Sequence, residues 1–155
     1  MNLEGHPANN LEDNPLIDGL RASGAKITAQ RIAICNWLLN TNTHPTANAV
    51  YEAIRDDFPT MSLATVYNTL SLLEGLGLLH QVARADDGSV RYDQATTPHI
   101  NLVCTRCGQI TDLHHLDLSP LARSSATLGF HLQNLNLTAY GLCADCLAEL
   151  ESGEK

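Results

Sequence analysis

Basic residues are scarce in this chain of 155 residues, where 9 lysines and arginines stand against 17 aspartates and glutamates for a net charge of −8. Residues 1–84 carry 5 basic against 8 acidic residues, and residues 85–155 carry 4 against 9, so both halves are acidic. A protein of this charge does not attract nucleic acid over its whole surface. DNA binding would therefore depend on a local basic cluster, helix N-termini or bound divalent cations.

Other features are missing as well. No apolar run approaches the roughly 20 residues that a membrane-spanning helix needs. The segment 1–15 is polar and acidic, without the apolar core of a signal peptide, so we expect a cytoplasmic protein whose thiols stay reduced. The sequence has no HExxH, no glycine-rich phosphate loop and no pair of nucleophile and base, and we do not expect an enzyme.

Two Cys-x-x-Cys pairs, Cys104–Cys107 and Cys143–Cys146, are the strongest chemical signal in the sequence. Four thiolates at this spacing suit a tetrahedral structural zinc ion and leave no coordination position open for a substrate. Redox pairs or disulfides are the other chemistry that the spacing allows. The fifth cysteine, Cys35, lies in an apolar stretch and is predicted to be a buried core thiol, with a redox role as the alternative.

A second set of candidate metal ligands lies around the first cysteine pair. His99, Asn101 and Asp112 offer nitrogen and oxygen donors, which suit a harder and more exchangeable metal ion than thiolates do. The stretch 98–112 therefore carries two kinds of metal chemistry.

The apolar periodicity in the first half of the chain predicts four helices. The first ends near Gly24, and the second begins after an N-cap at Thr28. The third follows a break at 44–46 and ends at Pro59, and the fourth begins after an N-cap at Ser62. Two extended runs, 78–84 and 89–93, are joined by an Asp-Asp-Gly turn and predict a hairpin. Together these elements predict a winged helix-turn-helix.

The fourth helix presents one polar face with small residues. Ala64 and Thr65 would let the backbone approach a DNA groove, Asn68 can pair with an adenine edge, and Tyr67 can pack or hydrogen-bond beside it. The same pattern is also typical of an ordinary solvated face opposite a core stripe.

The second half predicts a small sheet domain. Strands are expected on both sides of the first cysteine pair, followed by a helix from Pro120 to Leu128, an extended segment at 130–140 and a short acidic helix. We expect an antiparallel sheet whose free edge invites dimerisation, and a structural zinc that compensates for a small core.

The predicted fold class is α+β. A winged helix-turn-helix DNA-binding domain spans 1–93, with 1–14 as a flexible arm. A hinge at 94–98 leads to a small α/β dimerisation and metal-binding domain at 99–155 with a four-cysteine zinc site.

These motifs resemble the ferric uptake regulator (Fur) family of bacterial metal-dependent repressors, and the resemblance runs from about Leu16 to Cys146. The motifs that carry it are His44-Pro45-Thr46-Ala47, Ser62-Leu63-Ala64-Thr65-Val66-Tyr67-Asn68-Thr69-Leu70, Arg91-Tyr92-Asp93, the His99 strand and the two cysteine pairs. The resemblance implies a homodimer that binds double-stranded palindromic operators when metallated. It implies that Cys104, Cys107, Cys143 and Cys146 hold structural zinc. It also implies DNA contacts from Lys26, Thr28, Arg31 and Tyr67.

The regulatory metal site that the resemblance implies consists of His44, Asp93, His99 and Asp112, with Asn101 at a position that is usually histidine. These residues come from the first domain, the hinge region and the second domain. One ion held by all of them would fix the angle between the domains, and hence the spacing of two recognition helices in a dimer.

The aspartate at position 112 resembles the peroxide-sensing, PerR-like branch of the family. Iron-sensing members usually have glutamate at this position. In that branch bound Fe(II) reacts with hydrogen peroxide and a ligand histidine is oxidised. Asn101 departs from this pattern, because an amide oxygen is a weaker and harder donor than imidazole, and oxygen-rich ligation favours Mn(II) over zinc. We therefore expect a manganese- or iron-responsive repressor with a blunted peroxide response.

A second family metal site lacks its donors, since Pro98, Ile100, Ser119 and Leu135 stand at its positions, and a single regulatory ion per protomer is predicted. Three other readings stay open: an iron- or zinc-uptake regulator of the same family, a zinc-ribbon enzyme, and a zinc-ribbon protein-interaction module. His114 and His115 follow Asp112 and can supply a replacement ligand, or they are simply exposed histidines. His6 lies in the arm and can reach the site only if the arm folds back.

Overall fold

The computed structural model describes residues 14–41, 43–84, 87–94, 98–133 and 135–153. The chain divides into two compact units, residues 1–79 and 80–155. This division falls at the start of the hairpin, whereas the sequence suggested a linker at 94–98. Residues 1–13 of the predicted arm and most of the predicted hinge lie outside the described residues, so the domain limits stay a prediction. The arm was predicted to include Asn14, which is wrong at that residue, because Asn14 is 1% exposed and its side chain accepts the backbone N–H of Leu16 at 3.0 Å. None of the described helices is both long and apolar enough to cross a membrane.

The first unit is built from four helices, each entered through a polar cap: α1 (Pro15–Ala22), α2 (Ala29–Asn40), α3 (Ala47–Ile54) and α4 (Leu63–Gly75). The Thr28 hydroxyl accepts a hydrogen bond from the backbone N–H of Arg31 at 3.3 Å, and the Ser62 hydroxyl accepts one from Thr65 at 3.1 Å. Both residues are extended, so their side chains can satisfy N–H groups that the helix leaves unbonded. The two predicted N-caps are confirmed.

The core of this unit includes one stripe from each of α2, α3 and α4. The members of these stripes have at most 5% of their surface exposed: Ile34, Cys35, Leu38, Val50, Ile54, Val66, Leu70 and Leu73. Cys35 is fully buried, which confirms the predicted core position, and this burial raises the pKa of its thiol to about 12. The predicted end of α3 at Pro59 is wrong. The helix ends at Ile54, whose carbonyl accepts the N–H groups of Asp57 and Phe58 at 3.2 Å each and turns the chain.

The predicted hairpin is present as β1 (Leu79–Arg84) and β2 (Val90–Gln94). At its turn Gly88 has a φ of +81°, and the Asp87 carboxylate accepts the Ser89 N–H at 2.9 Å. This local geometry explains why the Asp-Gly signal predicted the turn correctly.

The second unit continues with a three-stranded sheet formed by β3 (Ile100–Cys104), β4 (Ile110–Leu113) and β5 (Leu137–Gly141), in the order β4-β3-β5. β3 pairs antiparallel with β4 but parallel with β5, so the expectation of an all-antiparallel sheet is wrong. The predicted extended segment at 130–140 is also wrong for most of its length, since only its last part forms β5.

Two helices flank this last strand. α5 (Ser119–Thr127) ends before Gly129, which has a φ of +72° as the predicted helix stop requires. α6 (Ala144–Gly153) begins directly after the first cysteine of the second pair. The parallel pairing of β5 with β3 is what brings this second pair to the first one.

Candidate metal centres and DNA-binding face

The four paired cysteines form one cluster in the second unit. The sulfur atoms of Cys104, Cys107, Cys143 and Cys146 all lie within 4.8 Å of one another, and the sulfurs of Cys107 and Cys143 are 3.7 Å apart. Four sulfurs about 2.3 Å from a tetrahedral zinc ion lie roughly 3.8 Å from each other. Disulfide sulfurs would be only about 2.05 Å apart, and these cysteines are free thiols. The cluster therefore fits structural zinc.

Backbone hydrogen bonds place each pair. Cys104 ends β3, its N–H donates to the Gln109 carbonyl at 2.8 Å, and its own carbonyl accepts the Gly108 N–H at 3.0 Å. Gly108 has a φ of +73°, a conformation that glycine adopts without strain. The second pair follows Gly141, which lies opposite Cys104 in the register of β3 and β5.

The electrostatics of the cluster favour a bound cation. Hydrogen bonds from the backbone N–H groups of Cys107, Cys143 and Arg106 lower the pKa of the Cys104 thiol to about 6. A hydrogen bond with the Cys143 thiol raises the pKa of Cys146 to about 12. The lowered pKa of Cys104 favours its thiolate at neutral pH, while the raised pKa of Cys146 keeps that neighbour protonated, mainly through its hydrogen bond with Cys143. Zinc would displace such protons, since thiolates are its ligands.

Arg106 links the two cysteine pairs and was not among the candidate residues. Its guanidinium donates to the Cys146 carbonyl at 2.9 Å and lies 3.0 Å from the Glu149 carboxylate. These contacts hold α6 against the turn that carries the first cysteine pair. They join positions far apart in sequence, and no local pattern indicates them.

Nitrogen and oxygen donors gather near the other end of β3. The Nε2 atom of His99 lies 2.9 Å from Oδ2 of Asp93, and the Asn101 amide donates to the same oxygen at 3.4 Å. Asn101 is only 2% exposed, and its Oδ1 atom has no hydrogen-bond partner among the described residues. A buried amide oxygen left without a partner is costly, and a metal ion would satisfy it.

The structure gives less direct support to the other two predicted ligands, Asp112 and His44. Asp112 pairs with Asn101 in the antiparallel register of β3 and β4, so both belong to one face of this hairpin. His44 is buried in the first unit. Within the described part of the chain, the cysteine cluster is the one group of three or more His, Cys, Asp or Glu ligands close enough for a single ion. The regulatory set as a whole stays a prediction.

The candidate DNA-binding residues lie at the beginnings of α2 and α4. Ala64, Tyr67 and Asn68 are exposed on α4, with Tyr67 at 42%. The Gln30 amide in α2 donates to the Thr60 carbonyl at 3.1 Å, just before the Ser62 cap, which ties the two helix N-termini together. Gln30 was not predicted. The structure thus brings two N-termini, each with a positive dipole end, onto one region of the unit.

The few basic side chains of this unit differ in their partners. Arg21 lies 3.1 Å from Asp18 and Arg55 lies 3.0 Å from Glu52, so both are neutralised locally. Arg31 instead donates to the backbone carbonyl of Lys26 at 2.6 Å, which keeps two cations together at the start of α2. This pair is a local concentration of positive charge in an acidic chain, and its predicted contact with DNA stays a prediction.

The family model described as the ferric uptake regulator family matches residues 22–140. The chain belongs to this family. It is 38% identical to the peroxide-responsive repressor PerR of Staphylococcus saprophyticus, over 88% of the chain and 90% of that protein. It is 37% identical to the peroxide operon regulator of Bacillus subtilis, over 84% and 90%.

Among solved structures of the ferric uptake regulator family, the Pseudomonas aeruginosa ferric uptake regulator with manganese is 27% identical to this chain. The match covers 84% of this chain and 98% of that chain, with a TM-score of 0.67. These likenesses confirm the predicted α+β fold class with a C-terminal four-cysteine zinc site. Ferric uptake regulator proteins of this kind are metal-responsive transcriptional repressors, and the resemblance drawn from the motifs is confirmed.

Proposed function

We propose that this chain represses transcription by binding operator DNA when an Mn(II) or Fe(II) ion occupies a site formed by His44, Asp93, His99, Asn101 and Asp112. The observation that carries the proposal is the Asn101 side chain, buried beside Asp93 and His99 with an amide oxygen that has no partner among the described residues. A cation would meet that oxygen together with the neighbouring carboxylate and imidazole.

The donor set favours Mn(II) or Fe(II) over zinc. Two carboxylates and one amide supply oxygen, whereas the soft donors of this chain are gathered in the cysteine cluster. Oxygen-rich ligation suits manganese and ferrous iron, and thiolate ligation suits zinc. The zinc ion is accordingly assigned to structure, and the second ion to regulation.

His44 belongs to the first unit, and the other proposed ligands belong to the second. An ion bound by all of them would therefore act on the arrangement of the two units. An ion that binds one arrangement of the two units better than the others stabilises that arrangement by its difference in affinity. Operator half-sites require two recognition helices at a fixed spacing, so the metallated form would bind DNA better.

A homodimer on a palindromic operator completes this scheme. The second unit exposes large apolar side chains, with Leu128 at 85%, Phe130 at 64% and Tyr140 at 65%. Its sheet also ends in edge strands β4 and β5. Exposed apolar surface and open strand edges are features that association buries. The proposal includes a cytoplasmic location, where thiols stay reduced and available to zinc, and a regulator that is not an enzyme.

The DNA contacts would come from the tied N-termini of α2 and α4. Lys26, Thr28 and Arg31 would bind phosphates, and Tyr67 with Asn68 would contact base edges. Ser62, Ala64 and Thr65 begin α4, where small side chains allow the backbone to approach the groove floor. The exposure of this face supports the assignment.

A peroxide response is part of the proposal because similar proteins carry the name peroxide-responsive repressor. When bound, Fe(II) would supply the redox chemistry that lets hydrogen peroxide oxidise a ligand. His99 is the imidazole at risk beside Asp93, and it would gain one oxygen atom while the other peroxide oxygen leaves as water. Mass spectrometry of the Fe(II) form after dilute peroxide should show a gain of one oxygen on His99; no adduct, with DNA binding retained, removes the peroxide response.

The test of the main proposal is a metal titration of DNA binding. Operator duplexes would first be selected from a random pool with the Mn(II)-loaded chain. Fluorescence anisotropy should then show affinity rising roughly 5- to 150-fold with Mn(II). A chain that binds no duplex with either Mn(II) or Fe(II) would be a structural or interaction protein instead.

A further inference from the structure

His114 lies just beyond β4 and is not among the five residues of the proposed regulatory site. We propose that His114 is a further ligand of the regulatory ion, acting across the β3–β4 hairpin from His99. This inference rests on the proposed function, because it adds a ligand to that site.

The register of the hairpin places His114 opposite His99. Asn101 pairs with Asp112 and Ile100 pairs with Leu113, so the next antiparallel partners are His99 and His114. Side chains of opposite residues lie on the same face of a sheet, and alternate residues along a strand share that face. One face of the hairpin therefore carries four potential ligands: His99, Asn101, Asp112 and His114.

The ring geometry fits two imidazoles on one ion. The ring centroids of His99 and His114 are 5.3 Å apart, with 48° between the ring planes. An imidazole nitrogen about 2.1 Å from a metal puts the ring centroid roughly 3.2 Å from it. Two such rings have centroids about 4.5 Å apart at a right-angled coordination and about 5.2 Å apart at a tetrahedral angle, so the observed separation is close to the wider of these values.

A second observation points to a ligand at the same place. The buried amide of Asn101 lies on this face, next to His99 along the strand, and its oxygen has no hydrogen-bond partner among the described residues. An amide supplies no imidazole nitrogen, and His114 supplies one from the adjacent strand. Asn101 would thus provide an oxygen donor to the ion, and His114 would provide a nitrogen donor.

His114 is also accessible from solvent. It is exposed, and it lines an open depression of about 520 Å³ together with Pro98, His115 and Asp117. An exchangeable ion needs such a route, whereas a ligand sealed in the core would trap the metal. The neighbouring His115 has a φ of +64° and a ring centroid 6.4 Å from that of His114. His115 therefore offers a matched control one residue away.

The experiment uses the full zinc-containing chain and Mn(II) alone as the probe. His114→Phe keeps an aromatic ring against His99 but removes the donor nitrogen, so ordinary ring packing is preserved. We expect it to weaken Mn(II) binding at least about 10-fold by calorimetry. His115→Asn removes an imidazole while tolerating the left-handed backbone, and it should bind Mn(II) like the unmodified chain.

Two further measurements separate a ligand from a packing residue. Pulsed EPR of the Mn(II) form should count one fewer coordinated imidazole in His114→Phe. Adding Asn101→His to His114→Phe should restore Mn(II) affinity, because it returns an imidazole to the same face.

The possible outcomes are distinct. Equal Mn(II) affinity in His114→Phe and the unmodified chain overturns the inference and leaves the regulatory site intact. Equal losses in His114→Phe and His115→Asn also overturn it, because the effect would belong to the loop rather than to one nitrogen. An unmodified chain that binds no Mn(II) beyond its zinc removes the proposed function itself.

Discussion

The two metal chemistries of this protein share one strand and differ in how complete they are. Cys104 ends β3 and belongs to a cluster whose four sulfurs already lie within 4.8 Å of one another. Asn101 lies in the same strand beside a carboxylate and an imidazole, but the proposed ligand set also includes residues from distant parts of the sequence. On this difference rests the proposal that the first site stabilises the fold and that the second is regulatory.

The difference follows from how the donors are connected. Each Cys-x-x-Cys pair is a local turn, so a single strand pairing is enough to bring four thiolates together. The nitrogen and oxygen donors belong to β2, to the β3–β4 hairpin and, for His44, to the first unit, so more than one pairing must position them. A site of the first kind stays closed around zinc, whereas a site of the second kind can be filled or emptied as metal concentration changes.

The largest expected effect comes from breaking the zinc cluster. Cys104→Ser removes the thiolate with the lowered pKa, and the second unit should lose its zinc and its cooperative unfolding transition, because structural zinc binding contributes folding free energy on the order of 10 kcal/mol. Elemental analysis and circular dichroism would measure both effects. Cys35→Ala is the control and should keep one zinc ion per chain; a Cys104→Ser chain with normal zinc content would contradict the assignment.

Breaking the other site should leave zinc and fold unchanged. His99→Ala removes the imidazole beside Asp93, and Mn(II) should then no longer raise DNA affinity, which amounts to a loss of roughly 5- to 150-fold. Anisotropy titrations with and without Mn(II) measure it. His131→Ala changes an exposed histidine elsewhere in the unit and should behave as unmodified. If His99→Ala instead released zinc, the two sites would not be separate.

Cys35 is buried in the core of the first unit and lies outside the zinc cluster. Its thiol allows a test of how the free energy of unfolding depends on pH. Its pKa is raised from its ordinary value near 9 to about 12, so between these values the unfolded thiol is ionised and the folded one is not. Stability from this group is complete below pH 9 and falls by up to about 1.4 kcal/mol per pH unit above it. Urea unfolding at pH 8 to 10 should show the curves of the unmodified chain and Cys35→Ala converging; parallel curves would mean that the thiol is not buried.

The smallest expected effect comes from a change in the proposed DNA-binding face that leaves both metal contents unaltered. Ser62→Ala removes the cap of α4 and should lower the free energy of unfolding by about 1 kcal/mol and weaken DNA binding, with zinc and Mn(II) contents unchanged. Ser71→Ala, at an exposed position in the same helix, is the matched control. Equal stability of the two variants would show that the cap contributes nothing measurable.

Features set by neighbouring residues were predicted well from the sequence. The caps at Thr28 and Ser62, the turn at Gly88 and the helix stop at Gly129 depend on contacts within a few residues, so their signals are local. The zinc cluster was also predictable, because the spacing within each cysteine pair already indicates the metal.

Features set by distant pairing were not predictable in the same way. The parallel partnership of β5 with β3 joins Cys104 to Gly141, and no periodicity indicates the direction of such a pairing. The contact of Gln30 with Thr60 and the position of His114 opposite His99 likewise depend on registers that only the folded chain defines.

The most direct measurement follows metal content and DNA affinity on one sample, before EDTA dialysis, after it, and after Mn(II) is added back. We predict that zinc stays at one ion per chain throughout, while DNA affinity falls with EDTA and returns with one Mn(II) per chain. DNA affinity that stays constant while Mn(II) is removed, or that falls only when zinc is lost, would contradict this prediction.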